Sequence, residues 1–161
     1  MKRTRSGFTL IELLVVIAII GLLSTLAVVA LNSARQRSRD AKRVSDIRQI
    51  QTALELGFSE TSNYPVAAVA VVLGDATHRV LCNVAAASTF QTSLVAPGAC
   101  GTVFMGLVPS NPTPGGADYS YTSAAGSGTY SITFTLEGAT GQLGAGVNCA
   151  NQNGITTAAS C

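Results

Sequence analysis

Glu12 is the residue of this chain whose position most clearly suggests chemistry. It stands at the start of a run of 22 uncharged residues, 13–34, which are mostly Leu, Ile, Val and Ala. Such a run is long enough for one membrane-spanning helix. An acid near a bilayer centre costs up to roughly 2.5–3.5 kcal/mol, which the 13 Leu, Ile and Val residues of the run outweigh. Glu12 is therefore a candidate functional residue, and the alternative is a side chain that reaches back to the interface.

The segment before and around Glu12 narrows this choice. Lys2, Arg3 and Arg5 form a short basic leader, and Gly7 opens the stretch GFTLIELLVVIAIIG, which ends at Gly21. This pattern resembles the class III signal of type IV prepilins and of the related pseudopilins, and the resemblance covers the first 60 residues closely. A secretory signal peptide and an ordinary signal anchor are the lesser alternatives, because the apolar run is longer than a signal region and neither explains Glu12.

The resemblance implies a processing mechanism. A prepilin peptidase would cut between Gly7 and Phe8, and the same enzyme would N-methylate the new amine of Phe8. Gly7 has no side chain that would obstruct the protease. Phe8 and Glu12, four residues apart, would lie on one helical face. Glu12 would then pair with the Phe8 amine of a neighbouring subunit and set the register of assembly.

The resemblance also implies the fold class and the domain order. We expect an α+β pilin fold, in which a long N-terminal helix packs against a small C-terminal antiparallel sheet. The predicted divisions are a leader over 1–7, a transmembrane or filament-core helix over 8–31, its amphipathic continuation over 32–60, and a globular head over 61–161. Many pilins have a proline in the apolar half, and this chain has none before Pro65, so unwinding between Gly21 and Val29 stays an open question.

The second half of the helix shows a clear amphipathic pattern. Apolar residues recur at three- and four-residue spacing, which predicts a stripe that carries the head; they are Val44, Ile47, Ile50, Leu54 and Phe58. Gly57 and the residues up to Pro65 are expected to end the helix.

Charged residues fill the other faces of this helix. We expect Asp40 to pair with Arg37, and Asp46 with Lys42 or Arg43. The ridge of Arg35, Arg39 and Arg43 predicts a solvated face that contacts lipid headgroups or acidic neighbours. DNA is the lesser alternative as a partner, because the basic surface is narrow.

The C-terminal half contains a turn region followed by strands. Pro109, Pro112 and Pro114 mark a rigid loop over 107–116. Behind it, alternation predicts two strands joined by a hairpin at 124–128, with a third strand near 142–148; the inward residues are Tyr119, Tyr121, Tyr130, Ile132, Phe134 and Leu136. The stretch 66–73 fits either a short helix or a strand, and 74–106 gives little signal.

Four cysteines suggest two disulfides in an exported domain. Three connectivities are compatible with the spacing, and we choose Cys82–Cys100 and Cys149–Cys161, which close local loops. A C-terminal loop closed by a disulfide also resembles many pilins. Free buried thiols in a reducing host are the alternative.

Nothing in the sequence predicts an enzyme or a cofactor. No nucleophile elbow, zinc-protease motif or phosphate loop occurs, and His78 stands without a partner motif. The acids after residue 60 are Asp75, Asp118 and Glu137. With amides such as Asn148 and Asn151 they are too sparse to carry over the calcium loop of related pseudopilins, and calcium is left open.

We therefore predict a structural subunit of a type IV pilus-like filament, serving adhesion, twitching motility or DNA uptake. The first alternative is a pseudopilin of a type II secretion system, which serves protein secretion, and the second is a signal-anchored surface binding module. Implied partners are copies of the chain itself, the prepilin peptidase, the inner-membrane assembly platform and, before assembly, the membrane. The head would be extracytoplasmic, and the assembled filament an extracellular pilus or a periplasm-spanning pseudopilus.

Overall fold

The computed structural model describes residues 7–85, 87–92, 100–126, 128–157 and 161. The expected leader therefore lies outside the described residues, apart from Gly7. In these ranges, one helix is followed by eight strands. They are α1 (Leu10–Thr61), β1 (Ala67–Val72), β2 (Val80–Val84), β3 (Ala87–Gln91), β4 (Val103–Met105), β5 (Ser120–Ser123), β6 (Ser131–Leu136), β7 (Gly146–Asn151) and β8 (Gly154–Thr156). The α+β prediction is confirmed.

The chain forms two compact units, of which the first is 1–36. Its described part contains the apolar first half of α1, which is helical without interruption through Gly21 and Val29. Ser24 Oγ donates to the Ile20 carbonyl at 2.7 Å, and Thr25 Oγ1 donates to the Leu22 carbonyl at 2.8 Å. Both hydroxyls are thus satisfied inside the helix. Within the described ranges, α1 alone is long and apolar enough to cross a membrane.

The second unit, 37–161, holds two antiparallel sheets. The larger has the strand order β1-β5-β6-β7-β8, and the smaller has the order β3-β2-β4. The predicted alternation is confirmed, since Tyr119, Tyr121, Tyr130 and the three apolar residues of β6 are buried. The stretch 66–73 contains a strand rather than a helix, and the expected third strand is β7, which begins later, at Gly146. The smaller sheet falls in the part of the chain for which no prediction was made.

The predicted helix stripe forms one side of the core. Ile47, Ile50 and Leu54 are fully buried, and Val44 and Phe58 pack against the same cluster. Phe58 stacks on Tyr64, with the ring centroids 4.6 Å apart. These contacts join the 37–61 part of α1 to the larger sheet.

Gly57 does not end the helix, contrary to the expectation. It is buried inside α1, where an added Cβ would lie 2.8 Å from Ser88 Oγ and 3.2 Å from the Phe104 ring. Its role is to let the smaller sheet approach the helix closely. The helix ends instead at Thr61, and the next residue, Ser62, has a left-handed φ of 55° and donates its amide to the Phe58 carbonyl at 2.7 Å.

The predicted arginine ridge is not a continuous solvated face. Arg43 is fully buried and Arg39 pairs with Glu137, which leaves Arg35 as the exposed member. Asp40 pairs with Arg43 at 2.7 Å rather than with Arg37. Asp46 accepts a hydrogen bond from Tyr119 Oη at 3.1 Å, and burial raises the pKa of this carboxyl against the opposing effects of Tyr119 and Lys42. The predicted Asp40–Arg37 pair is therefore wrong, because helical spacing could not show that the head covers this face.

Each sheet carries one disulfide. Cys82 of β2 is bonded to Cys100, and Cys149 of β7 is bonded to Cys161. Cys82 and Cys149 are buried. Both crosslinks therefore close loops inside the second unit.

Candidate N-terminal processing and assembly site

The first turn of α1 is organised by Thr9 and Glu12. The Thr9 amide and the Thr9 Oγ1 hydroxyl both donate to Glu12 Oε2, at 2.8 and 2.7 Å, and the Glu12 amide donates back to Thr9 Oγ1 at 3.3 Å. Thr9 precedes the first helical residue, Leu10, and Glu12 is the third residue of the helix. This reciprocal pattern is a capping box, which satisfies amides that have no partner within the helix.

The capping box gives Glu12 a role that the sequence analysis did not assign. A threonine followed three residues later by a glutamate, immediately before an apolar run, is the usual signature of this motif. The signal was therefore present in Thr9-Leu10-Ile11-Glu12.

The Gly7–Phe8 bond lies outside the helix and is accessible. Phe8 is 84% exposed, and nothing lies within 4 Å of a Cβ built on Gly7. Phe8 and Glu12 line one shallow hollow, together with Ile11, Val15 and Val16. The two predicted partners thus share one side of the chain, although Phe8 itself is not helical. Its nitrogen belongs to a peptide bond here, so the pairing with a free amine remains a prediction.

The helix that follows presents apolar side chains in every direction. Exposed large hydrophobic residues run from Leu10 to Leu31, and Glu12 is the one charged residue in this range. A surface of this kind requires lipid or other apolar helices as its surroundings. The site therefore consists of an exposed Gly7–Phe8 junction, an acid held at the helix start and an apolar helix segment.

Asp75, Thr77 and His78 form a small polar cluster away from the helix start. His78, predicted to lie on the surface, is partly buried; its Nδ1 lies 3.0 Å from Asp75 Oδ1 and 2.9 Å from Thr77 Oγ1. Burial opposes ionisation of Asp75, but hydrogen bonds from Thr77 and His78 lower its pKa to about 2. In the described ranges, no group of three or more His, Cys, Asp or Glu residues is placed to hold a metal ion.

A family model, the prokaryotic N-terminal methylation motif, matches residues 2–28. Among curated proteins, the chain is 41% identical over 64 residues to type II secretion system core protein G of Aeromonas hydrophila, covering 40% of this chain and 45% of that protein. It is 38% identical over 65 residues to the Dickeya chrysanthemi protein of the same name, covering 40% and 42%. It is 42% identical over 55 residues to type IV major fimbrial protein FimA of Dichelobacter nodosus, covering 34% and 35%.

These similarities cover at most 40% of this chain, and the family model covers residues 2–28. The chain spans less than half the length of these curated relatives. No solved structure matches it. The expected resemblance is confirmed: residues 2–28 match the prokaryotic N-terminal methylation motif, and the chain is similar to a type II secretion core protein and to a type IV fimbrial protein.

Proposed function

We propose that this chain is a structural subunit of a type IV pilus-like filament and not an enzyme. The observation that carries the proposal is the capped Glu12 at the start of the exposed apolar segment of α1, 10–31, directly after an accessible Gly7–Phe8 bond. A filament buries the apolar surface of each helix against other copies, as a membrane does before assembly. The apolar surface of the helix can thus be covered either by lipid or by the helices of other copies.

Processing at Gly7 would create the partner that Glu12 lacks. Cleavage by a prepilin peptidase leaves an α-amino group on Phe8, and N-methylation of that amine keeps its positive charge. In the described structure both Thr9 hydrogen bonds go to Glu12 Oε2. Oε1 is therefore in position to accept from the amine of a neighbouring subunit without loss of the capping box.

This pairing would select one axial register. An apolar helix surface alone tolerates sliding, because neighbouring registers bury similar areas. Sliding would separate a carboxylate and an amine that are both removed from water. This separation costs about 3–5 kcal/mol, because each buried charge loses its partner. Glu12 would thus set how far each subunit is displaced along the filament, and its role would be positional rather than catalytic.

The head is expected on the extracytoplasmic side, first as the outer part of a single-pass membrane protein and then on the filament. Its two disulfides support this placement, because such bonds persist in oxidising compartments. Partners would be other copies of the chain, the peptidase and an inner-membrane assembly platform.

A pseudopilin of a type II secretion system is the second candidate. It is favoured by the similarity to core protein G proteins over 40% of the chain. The two candidates share processing, membrane insertion and self-assembly. They differ in whether the filament is displayed outside the cell or drives protein secretion.

The test is the intact mass and N-terminal sequence of protein sheared from cells. The proposal expects a chain that starts at Phe8 and carries one added methyl group. Glu12→Gln, which removes the charge with little change of shape, is expected to be cleaved normally but to stay in the membrane fraction. Gly7→Val is the matched control, expected to remain uncleaved.

Two outcomes would contradict the proposal. A wild-type chain that keeps Met1 and is found only in membranes would favour the signal-anchored binding module. Filaments of normal yield from Glu12→Gln would remove the role given to this carboxylate. Loss of secreted enzymes on deletion, without loss of surface fibres, would select the pseudopilin over the pilus.

A further inference from the structure

The guanidinium of Arg43 lies at the centre of an oxygen-lined enclosure, which we call the Arg43 cage. Its walls come from three places: Asp40 on α1, the loop over 111–115, and Glu137 directly after β6. The Arg43 side chain has no exposed surface. An ion enclosed to this degree is unusual in a protein interior unless every polar contact is satisfied.

Every N–H group of the guanidinium has an acceptor in the cage. Nε donates to Asn111 Oδ1 at 2.8 Å, and Nη1 donates to Asp40 Oδ1 and Glu137 Oε1, both at 2.7 Å. Nη2 donates to backbone carbonyls of the loop, namely Pro112 at 3.0 Å, Pro114 at 3.5 Å and Gly115. Two carboxylates, one amide and three carbonyls therefore surround one side-chain cation.

The walls of the cage are themselves fixed. Asp40 also accepts the amides of Glu137 and Gly138, at 3.0 and 2.9 Å. The Asn111 amide donates to the carbonyls of Gly115 and Gly116, at 3.1 Å each. The acceptors are thus held by contacts that do not involve Arg43, so shortening Arg43 would leave much of the cage in place.

Oxygen atoms of these kinds are also the usual ligands of calcium, but their arrangement here does not suit a metal ion. Calcium binds oxygens that converge on one centre at about 2.3–2.6 Å. The cage oxygens instead lie at hydrogen-bond distance from three separate nitrogen atoms. They match a flat, forked cation and are too widely spread for a single small ion.

We propose that the Arg43 cage is a guanidinium-binding site whose resident ligand is the Arg43 side chain of the same chain. The site fastens the 107–116 loop and the end of β6 to α1 without an exogenous cation. It is independent of the filament function proposed above. When Arg43 is shortened, the vacated cage is expected to take up free guanidinium in preference to calcium.

The test uses the full chain in detergent micelles and follows thermal unfolding through the near-UV signal of its core tyrosines. Arg43→Ala is compared with wild type in guanidinium chloride at low millimolar concentrations, where denaturation is negligible. We expect a saturable rise in the Tm of the variant, on the order of a few degrees, and no such rise in wild type. Sodium chloride at equal ionic strength and calcium chloride should give no saturable rise. Arg48→Ala, which removes an exposed arginine, is the matched control and should not respond to guanidinium.

Three results would overturn the proposal. The first is a rise in the Tm of Arg43→Ala with calcium that equals or exceeds the rise with guanidinium. The second is a fall in the Tm of wild type when a chelator is added. This measurement needs only the wild-type protein, so it can be made even if Arg43→Ala does not fold. The third is a response of Arg43→Lys like that of Arg43→Ala, because the lysine side chain should occupy the cage and block the added cation.

Discussion

Glu137 offers the sharpest test of how the head is attached to α1. Its Oε1 accepts from Arg39 Nε and Arg43 Nη1, both at 2.7 Å, and its Oε2 accepts from Arg39 Nη2 at 2.6 Å. These hydrogen bonds lower the pKa of the carboxyl to about 2. Glu137→Gln keeps the shape of the side chain and removes its charge.

The expected loss of stability follows from the burial of the partners. Breaking a fully buried ion pair costs about 3–5 kcal/mol, because the remaining charge is left unpaired. Here Glu137 is 21% exposed and Asp40 still neutralises Arg43, so we expect about 2 kcal/mol. For a folded unit of this size the fall in Tm should be about 6–10 °C.

The pH dependence has a definite sign. The pKa of Glu137 is lower in the folded chain than its ordinary value of 4.5, so its stabilising effect is complete above that value and is lost as the pH falls through about 2. The difference in Tm between wild type and Glu137→Gln should therefore be largest at neutral pH and shrink towards pH 2.

Thermal unfolding of both proteins, from neutral pH downwards, measures this difference. Glu60→Gln is the matched control, because Glu60 also accepts two hydrogen bonds, from Asn83 and Thr102, but lies on the exposed side. If the two variants lose equal stability at neutral pH, or if the Glu137→Gln difference persists unchanged near pH 2, the assigned role of this carboxylate is wrong.

Three further predictions concern other parts of the chain. Gly57→Val should lower stability by about 1–3 kcal/mol in denaturant unfolding, because its side chain would collide with Ser88, whereas Gly106→Ala, with open space around it, should be neutral. Thr9→Ala should speed amide hydrogen exchange in the first turn of α1 and Thr9→Ser should not, because only a hydroxyl completes the capping box; equal rates in the two variants would contradict this. Burial, with a hydrogen bond to Glu55, raises the pKa of Tyr64 to about 12, so spectrophotometric titration should show it still protonated above pH 10, and stability should fall as the pH rises towards 12.

The sequence predicted most reliably those features that repeat along the chain. The helix stripe of Ile47, Ile50 and Leu54 and the alternation around Tyr121 and Phe134 were recognisable because burial on one face imposes a period of 3.6 or 2 residues. The smaller sheet escaped prediction since its strands are three to five residues long and alternate poorly.

Contacts between distant segments were beyond the reach of sequence patterns. Nothing local to Arg43 indicates that a proline-rich loop some 70 residues later will supply its acceptors. Gly57 was interpreted as a helix end because glycine often has that role, while its actual role depends on Ser88 and Phe104 across the interface. The pairing of Glu12 with a neighbouring amine stays a prediction, because it requires a second, processed copy.

The placement of the disulfides has a mechanical consequence. The disulfides Cys82–Cys100 and Cys149–Cys161 join cysteines that are 18 and 12 residues apart in the sequence. Neither bond links α1 to a sheet. If the head is held and α1 is pulled, only non-covalent contacts resist the separation of the helix from the larger sheet. We expect the head to yield by peeling along α1, while the β2–β3 and β7–β8 hairpins, which lie largely inside the two disulfide loops, stay closed. Reduction of both disulfides would then lengthen each extended subunit by the residues of the two disulfide loops. It would leave unchanged the force at which the helix first separates from the larger sheet.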